Sequence, residues 1–501
     1  MNQPNIIMIM TDQQRWDALG AIRPVVQTPG IDSLARKGIL FDQAVCQAPM
    51  CVPSRNSLMF GLYPSQTGVR TNRGALLDEE RLPGIPLPQL LREAGYFCAG
   101  FGKTHWNHAL AGHPGSRRGF HVRAEGQSRS SILCEDGAVM MDDEDPEGLK
   151  AYYEETAEFG SGEENALGYI GKPSRLPPEH HRDGFIYRKC LEFLEGYTPG
   201  AQPLFLYFSL IKPHAGFNIP PAFEALYRPE DIPAMPRASF RWESGTHMAA
   251  AMAASSSLHD VHARRREVLE KLTEEERRLI TLRYFANCSF MDSMIRGVLD
   301  SVHRKGLDRN TLFVFLSDHG EMLGERDLRY SKYCLYESSV RVPLILAGDV
   351  LPPEKQGTRD SRPAMLTDLL PTLCALSGAA PDPRWPGQSL LAPCRRSGAF
   401  CEFHGGGGED IQIAPAWMWR TPEWKLILFR EGTVLEDTPP EGELYHLPSD
   451  PEEWHNLYHD PACLKVREQL TVALLSHMAS AFARGPAFGD YRGLSPITPR
   501  P

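Results

Sequence analysis

The first apolar run of the chain, Pro4 to Thr11, has strand length and stops at Asp12 and Gln13. Its unbroken hydrophobicity predicts a strand buried on both faces, with a carboxylate at the C-terminal end. Later runs repeat the pattern: YFCAGFG (96–102) ends at Lys103, Thr104 and His105, PLFLYFSLI (203–211) delivers Lys212 and His214, and NTLFVFLS (310–317) delivers Asp318 and His319. Between them lie segments with helical spacing, IDSLARKGILF (31–41), LPQLLREAGY (87–96) and MLTDLLPTLCALSG (365–378). The longest helix is expected over 273–306, where Thr273 and Glu276 form a capping box, Leu279, Leu282, Phe290, Met294 and Val298 line an apolar face, and Gly306 is the stop. Asp292 within it reads as structural. Alternating helices and buried strands predict an α/β fold with a large, mostly parallel central sheet flanked by helices. Ligands of open α/β sheets bind at the carboxyl ends of the strands, so these polar ends are expected to share one site.

The stretch from Ala44 to Val69 carries a second signal. Pro53 suits the first turn of a helix and Gly61 its end, which puts Cys51 just before a helix N-terminus with Arg55 on the same face. Free N–H groups, the helix dipole and a guanidinium there make a site for a tetrahedral oxyanion. Cys51 itself is either a dipole-activated thiolate or a buried thiol before an ordinary helix. The oxygen ligands of Asp12 and Asp318 suit Ca²⁺, Mg²⁺ or Mn²⁺, and the imidazole of His319 leans toward Mn²⁺ or another transition metal.

The remainder divides the chain. Residues 124–182 are rich in carboxylates and read either as a solvated surface insertion or as a lid whose acidity disfavours polyanionic glycans, with His180 and His181 at its edge as candidate pocket residues. The Ala/Ser-rich 236–268 reads as a connection or subunit contact. The Pro-rich APDPRWPG marks a junction near residue 380, separating a catalytic α/β domain (1–380) from a smaller C-terminal α+β domain (381–484). In the latter AWMWR, WKLILFR and ELYHL read as an antiparallel sheet, followed by a helix over 463–483 and an extended tail, 485–501. His404 before a glycine run belongs either to a surface turn or to a loop over the site, and Asn72 in TNRG either to a turn or to the site's edge.

Composition then excludes several classes. A 501-residue chain with 42 % hydrophobic residues can bury a large core, and a net charge of −10 argues against a nucleic-acid partner. Eleven cysteines without zinc-like spacing argue against a disulfide framework. The N-terminus has no basic region before its short apolar run, and no stretch approaches the ~20 residues of a membrane span, so a cytoplasmic location is expected.

Cys51, Pro53, Ser54 and Arg55 reproduce Cys-X-Pro-Ser-Arg, the segment that resembles the maturation signature of type I sulfatases, in which the cysteine is oxidised to formylglycine. The resemblance extends through PNIIMIMTDQ, GKTHW (102–106), KPH (212–214), SDHGEMLGE (317–325), KYCLYESSVRVP (332–343) and ELYHLPSDPEEWHNL (443–457), in the order of that family within the alkaline phosphatase superfamily. It implies an alkaline-phosphatase-like fold and one divalent ion, Ca²⁺ or Mn²⁺, on Asp12, Asp318, His319 and the formylglycine from Cys51, with Gln13 a weaker ligand. The family more usually has Asp at position 13 and Asn at 319. Gln13 with His319 is closer to choline sulfatases and phosphonate monoester hydrolases, whereas Lys103 and His105 favour a sulfatase.

By the same resemblance a hydroxyl of hydrated formylglycine attacks sulfur, Asp318 takes its proton, and Arg55, Lys103 and Lys332 hold the sulfate oxygens. His214 with Lys332 protonates the leaving alcohol, and His105 deprotonates the second hydroxyl to expel sulfate. The implied function is hydrolysis of sulfate monoesters, of arylsulfatase type. Phosphonate monoester or phosphodiester hydrolysis on the same site is the alternative, and an inactive binding protein is expected if Cys51 stays unmodified. Implied partners are a small sulfate ester, a formylglycine-generating maturation enzyme, and further copies of the chain as a dimer or tetramer. Asn72, His181 and His404 are the remaining substrate-binding candidates.

Overall fold

A computed structural model describes residues 3–72, 82–105, 116–131, 135, 137–160, 171–235, 246–248, 266–326, 328–405, 415–429 and 441–483, with the side chains of 158–160 excepted. Its centre is a nine-stranded sheet. Across it the strands run Thr358–Asp360, Gly38–Phe41, Leu344–Ala347, Thr311–Ser317, Asn5–Asp12, Leu204–Pro213, Phe97–Gly102, Val122–Glu125 and Val139–Met140. Leu344–Ala347 is antiparallel to both neighbours; the other pairings are parallel.

The unbroken apolar runs lie in the middle because both faces of the sheet are covered. Ile6, Met8 and Met10 face one apolar cluster and Ile7 and Ile9 the other, as the two-residue period of a strand requires. The second cluster is completed by the helix Glu274–Arg304, through Ile280, Phe285, Met291 and Val298. Its capping box forms as the sequence predicts: Thr273 Oγ1 accepts from the Glu276 amide at 3.2 Å and Glu276 Oε2 accepts from the Thr273 amide at 2.7 Å. Asp292 is structural, accepting the amides of Gly30 (2.9 Å) and Ile31 (2.7 Å) at the start of the helix Pro29–Arg36.

Parallel pairing in register brings the strand ends together. Asn5 to Thr11 pair with Thr311 to Ser317, and Ile6 to Met10 with Phe205 to Ser209. An irregularity between Met10 and Asp12 then sets Asp12 opposite Pro213. Asp12, Lys103, His214 and Asp318 thus leave four adjacent strands at one edge of the molecule.

The structure departs from the sequence reading in several places. The helix expected over 31–41 stops at Arg36, and Gly38–Phe41 is a strand; a Cβ on Gly38 would lie 2.1 Å from the Leu346 carbonyl oxygen, so the close antiparallel approach of the neighbouring strand takes the place of the next helical turn. The acidic 124–182 segment, read as loop-like, carries the edge strand Val139–Met140 and the helix Pro146–Gly160, and it sends Glu135 and Glu155 into buried contacts. Much of 236–268 and the tail after residue 483 lie outside the described residues.

The C-terminal sheet is antiparallel, ordered Ala399–Phe403, Ala416–Arg420, Trp424–Phe429, Glu441–His446, and its first strand had no reading in the sequence. Phe400, Met418, Ile427 and Leu444 join the same apolar cluster as Ile6 and Met8, together with Leu470 and Leu474 of the helix Leu464–Ala483. A buried ionic ladder reinforces the seam. Glu337 accepts from Arg420 at 2.7 and 2.8 Å and pairs with Lys425 at 2.8 Å, while Lys425 also pairs with Glu453 at 2.7 Å and donates to the Leu335 carbonyl at 3.0 Å. Among the described residues ten cysteines are free, and no helix is long and apolar enough to cross a membrane.

Candidate active site

The helix Cys51–Phe60 begins at Cys51 itself, earlier than Pro53 alone would place it. Its end is as expected: Gly61 has φ 69°, and a Cβ there would lie 2.7 Å from the Trp385 ring. The exposed amide of Val52 is satisfied by Asn72 Oδ1 at 3.1 Å, so Asn72 caps the helix that carries Cys51. Ser54 Oγ donates to the Asp318 carbonyl at 2.5 Å, tying the helix to the neighbouring strand end.

Arg55 is wholly buried and its donors are engaged by the scaffold. Nε donates to Asp318 Oδ2 at 2.6 Å, Nη1 to the Lys103 carbonyl (2.6 Å), Ser209 Oγ (3.0 Å) and Tyr207 Oη (3.3 Å), and Nη2 lies 3.4 Å from Asp12 Oδ2. It therefore neutralises and orients the two carboxylates. Ser209 and Tyr207 were missed in the sequence; the signal was a hydroxyl pair at i, i+2 on one face of an otherwise apolar strand.

Asp12, Cys51, Asp318 and His319 offer donor atoms that all lie within 4.8 Å of one another. Cys51 Sγ is 3.2 Å from His319 Nε2 and 3.8 Å from Asp12 Oδ1, and His319 Nε2 is 3.7 Å from Asp318 Oδ1. The carbonyl of Gly320, 3.0 Å from His319 Nδ1, fixes the ring proton on that atom and turns the Nε2 lone pair toward the carboxylates. Two buried carboxylates, an imidazole lone pair and a fourth donor suit a divalent cation, and this donor set fits the metal the sequence implies. Gln13, at φ 67°, is engaged elsewhere: its Oε1 accepts from Lys332 Nζ at 2.7 Å, and its buried Nε2 has no hydrogen-bond partner among the described residues.

Cations surround the cysteine. Lys332 Nζ lies 2.9 Å from Cys51 Sγ, and Lys103 Nζ pairs closely with Asp12 Oδ2. Burial alone would raise the Cys51 thiol, but Lys103, Lys332 and His319 outweigh it and hold the pKa well below the ordinary thiol value. Burial also lowers His105 and His214; Lys103 reinforces this for His105 and Lys332 for His214, while Cys51 opposes it in both. Both imidazoles are therefore biased neutral. His214 Nδ1 sits 2.7 Å from the Ala215 carbonyl, which leaves Nε2 for the site. Lys332 is held from behind, by Glu321 accepting the Ser331 amide and by Arg329 Nη2 donating to the Lys332 carbonyl at 3.0 Å.

Other candidates are placed away from this cluster. His181 Nε2 lies 3.1 Å from Ser174 Oγ, and its ring packs edge-on against Tyr152 and Phe290. His404 pairs with Glu402 at 3.0 Å, and Glu402 also accepts from the amide of Ser65 at 2.7 Å; residues 406–408 of the glycine run lie outside the described residues. His180 pairs with Asp145 at 2.9 Å, and Lys212 turns to the carbonyls of His214 and Gly216.

The family model described as Sulfatase matches residues 4–379, and one described as N-sulphoglucosamine sulphohydrolase, C-terminal, matches 324–480. The chain is 27 % identical over 494 residues to an uncharacterized sulfatase, YidJ, of Escherichia coli (strain K12), covering 95 % of this chain and 88 % of that one. It is 27 % identical over 480 residues to the choline-sulfatase of Rhizobium meliloti (strain 1021), covering 92 % and 83 %. A solved phosphonate monoester hydrolase of Agrobacterium radiobacter superposes with a TM-score of 0.74 at 23 % identity over the whole of both chains, a likeness of fold.

Proposed function

The chain belongs to the sulfatase family, and from that premise we propose that it hydrolyses sulfate monoesters at the cluster around Cys51, after a maturation enzyme has converted Cys51 to formylglycine. The observation that carries this reading is the convergence of Asp12, Asp318 and His319 on Cys51 at the first turn of a buried helix, with Lys103 and Lys332 beside them. Formylglycine there would supply a geminal diol as nucleophile, and a divalent ion on Asp12, Asp318 and His319 would lower the pKa of its hydroxyl and polarise the sulfate.

The other residues divide the work. Arg55 aims both carboxylates. Lys103 and Lys332 present positive charge where the sulfuryl oxygens would lie, which counts most in the transition state, when negative charge on those oxygens grows. His105, neutral and beside residue 51, is suited to accept a proton there. His214 Nε2 and Lys332 Nζ are suited to deliver one to the leaving alcohol oxygen.

The imidazole of His319 favours Mn²⁺ over Ca²⁺, and together with Gln13 it supports phosphonate monoester hydrolysis as the second reading. The test is kcat/KM for an aryl sulfate beside an aryl phosphonate monoester, with matured, metal-replete protein and Cys51→Ala as control. A sulfate preference that vanishes in the control upholds the main reading; a phosphonate preference replaces it with the second.

A further inference from the structure

Lys103 and His105 both approach Cys51 or its partners, and Thr104 between them turns the other way. Its Oγ1 donates to Glu135 Oε1 at 2.6 Å, and Glu135 Oε2 accepts from Arg123 Nε at 2.9 Å. Arg123 then grips the same backbone: Nη2 donates to the Gly102 carbonyl at 2.6 Å and approaches Thr104 Oγ1 at 3.3 Å, and Nη1 donates to the Gly100 carbonyl at 3.2 Å. Thr104, Arg123 and Glu135 are all at most 4 % exposed. From the opposite side Arg55 Nη1 donates to the Lys103 carbonyl at 2.6 Å, and the Lys103 amide donates to the Ser209 carbonyl at 3.2 Å. The segment is pinned on both flanks.

We propose that Glu135 and Arg123 are positioning residues: acting through Thr104, they set the direction in which Lys103 and His105 face residue 51. This rests on the sulfatase reading above. Glu135 comes from the acidic 124–182 segment, which thereby acts on the chemistry through Thr104. A buried guanidinium between two carboxylates is poor at adding stability, because desolvation offsets most of the attraction. What it supplies here is direction: a two-pronged hold fixes the Gly100 and Gly102 carbonyls and the Thr104 hydroxyl, which a single contact would leave free to rotate. Burial, opposed by Arg123 and reinforced by Glu135, pushes the neighbouring Glu125 carboxyl up to about 8. Displacing catalytic groups by ~1 Å is enough to cost on the order of 10²-fold in rate.

The experiment compares Thr104→Val, which keeps the shape and removes the hydroxyl, with Thr104→Ser, which restores it, and with Glu135→Gln, all in matured enzyme turning over an aryl sulfate. For Thr104→Val and Glu135→Gln, kcat falls about 10²-fold with KM within a few-fold. Phenol release shows a burst ahead of the steady state, because the His105 step follows departure of the alcohol. Backbone amides at 102–105 exchange faster with deuterium, and Thr104→Ser returns all three readouts toward wild type. Wild-type kinetics and exchange in Thr104→Val overturn the proposal, as does a loss in Thr104→Val that Thr104→Ser does not recover. If the wild-type enzyme itself fails to cleave the sulfate, the sulfatase reading falls with it; if it cleaves normally and only the variants match it, the positioning role alone falls.

Discussion

Lys332 Nζ stands 2.9 Å from Cys51 Sγ on a loop whose flanking residues, Ser331 and Tyr333, both have positive φ values, 80° and 72°. Neither is glycine, and such backbone persists only where surrounding contacts over-determine it. Replacing Lys332 by Ala is expected to lower kcat for an aryl sulfate by about 10²–10³-fold, the scale of one transition-state charge contact. A loss in KM alone would assign Lys332 to ground-state binding instead.

His214 presents Nε2 because its Nδ1 is occupied by the Ala215 carbonyl. If it serves the leaving alcohol, His214→Ala should cost about 10²–10⁴-fold with alkyl sulfates and far less with nitrophenyl sulfate, whose alcohol leaves without help. A plot of log kcat/KM against leaving-group pKa steepens in the variant. Parallel plots would remove this role.

Metal content separates ligands from neighbours. His319→Ala is expected to weaken divalent-metal affinity by more than the ~10–100-fold typical of outer-shell changes, whereas Gln13→Ala, whose partner is Lys332, should leave the bound metal near one per chain. Elemental analysis after dialysis against a weak chelator gives the answer. Equal metal loss in both variants would restore Gln13 to the ligand set.

Asn72 caps the Val52 amide, so Asn72→Ala should destabilise the fold by about 1 kcal/mol while KM hardly changes. Thermal unfolding beside steady-state kinetics decides the matter. An unchanged melting temperature with a tenfold higher KM would make Asn72 a substrate contact.

Glu443 gives the acid limb of stability a named source. Burial raises its carboxyl, but His247 and Arg326, with a hydrogen bond from Tyr445, bring it from 4.5 down to about 2. The folded-state value lies below the unfolded one. The ionised carboxylate therefore stabilises the fold above about pH 4.5 and loses that contribution as pH falls toward about 2, a total of about 3 kcal/mol. Glu443→Gln should unfold more easily at pH 7, and its deficit against wild type should shrink through that acid window. A deficit independent of pH would remove Glu443 as the source.

Much of this architecture is readable from local pattern. Asp12, Lys103, His214 and Asp318 each follow an apolar run, and parallel pairing in register does the rest. Thr273 with Glu276, and Gly61, declare their helix ends through chemistry that needs no distant partner. What stayed hidden depends on partners remote in sequence. Nothing near Asn72 announces that it caps residue 52, nothing near Arg55 announces Ser209, and Glu135 looks like one more solvent carboxylate until Arg123 and Thr104 are folded around it. Gly38 lies inside a run that reads as helix to residue 41, and only the approach of Leu346 makes it the first residue of a strand.

The seam between Glu337 and Arg420, Lys425 and Glu453 also imposes an order of assembly. The backbone just beyond Lys332 is fastened by side chains that leave the ribosome some eighty to one hundred and sixteen residues later. Cys51 is 2 % exposed in the folded molecule, so an enzyme acting on it would have to reach it before the fold closes. If residue 51 is modified by an enzyme, the time needed to synthesise the last strands is the interval open to it. A chain that closes before it is used carries a thiol that its own fold protects.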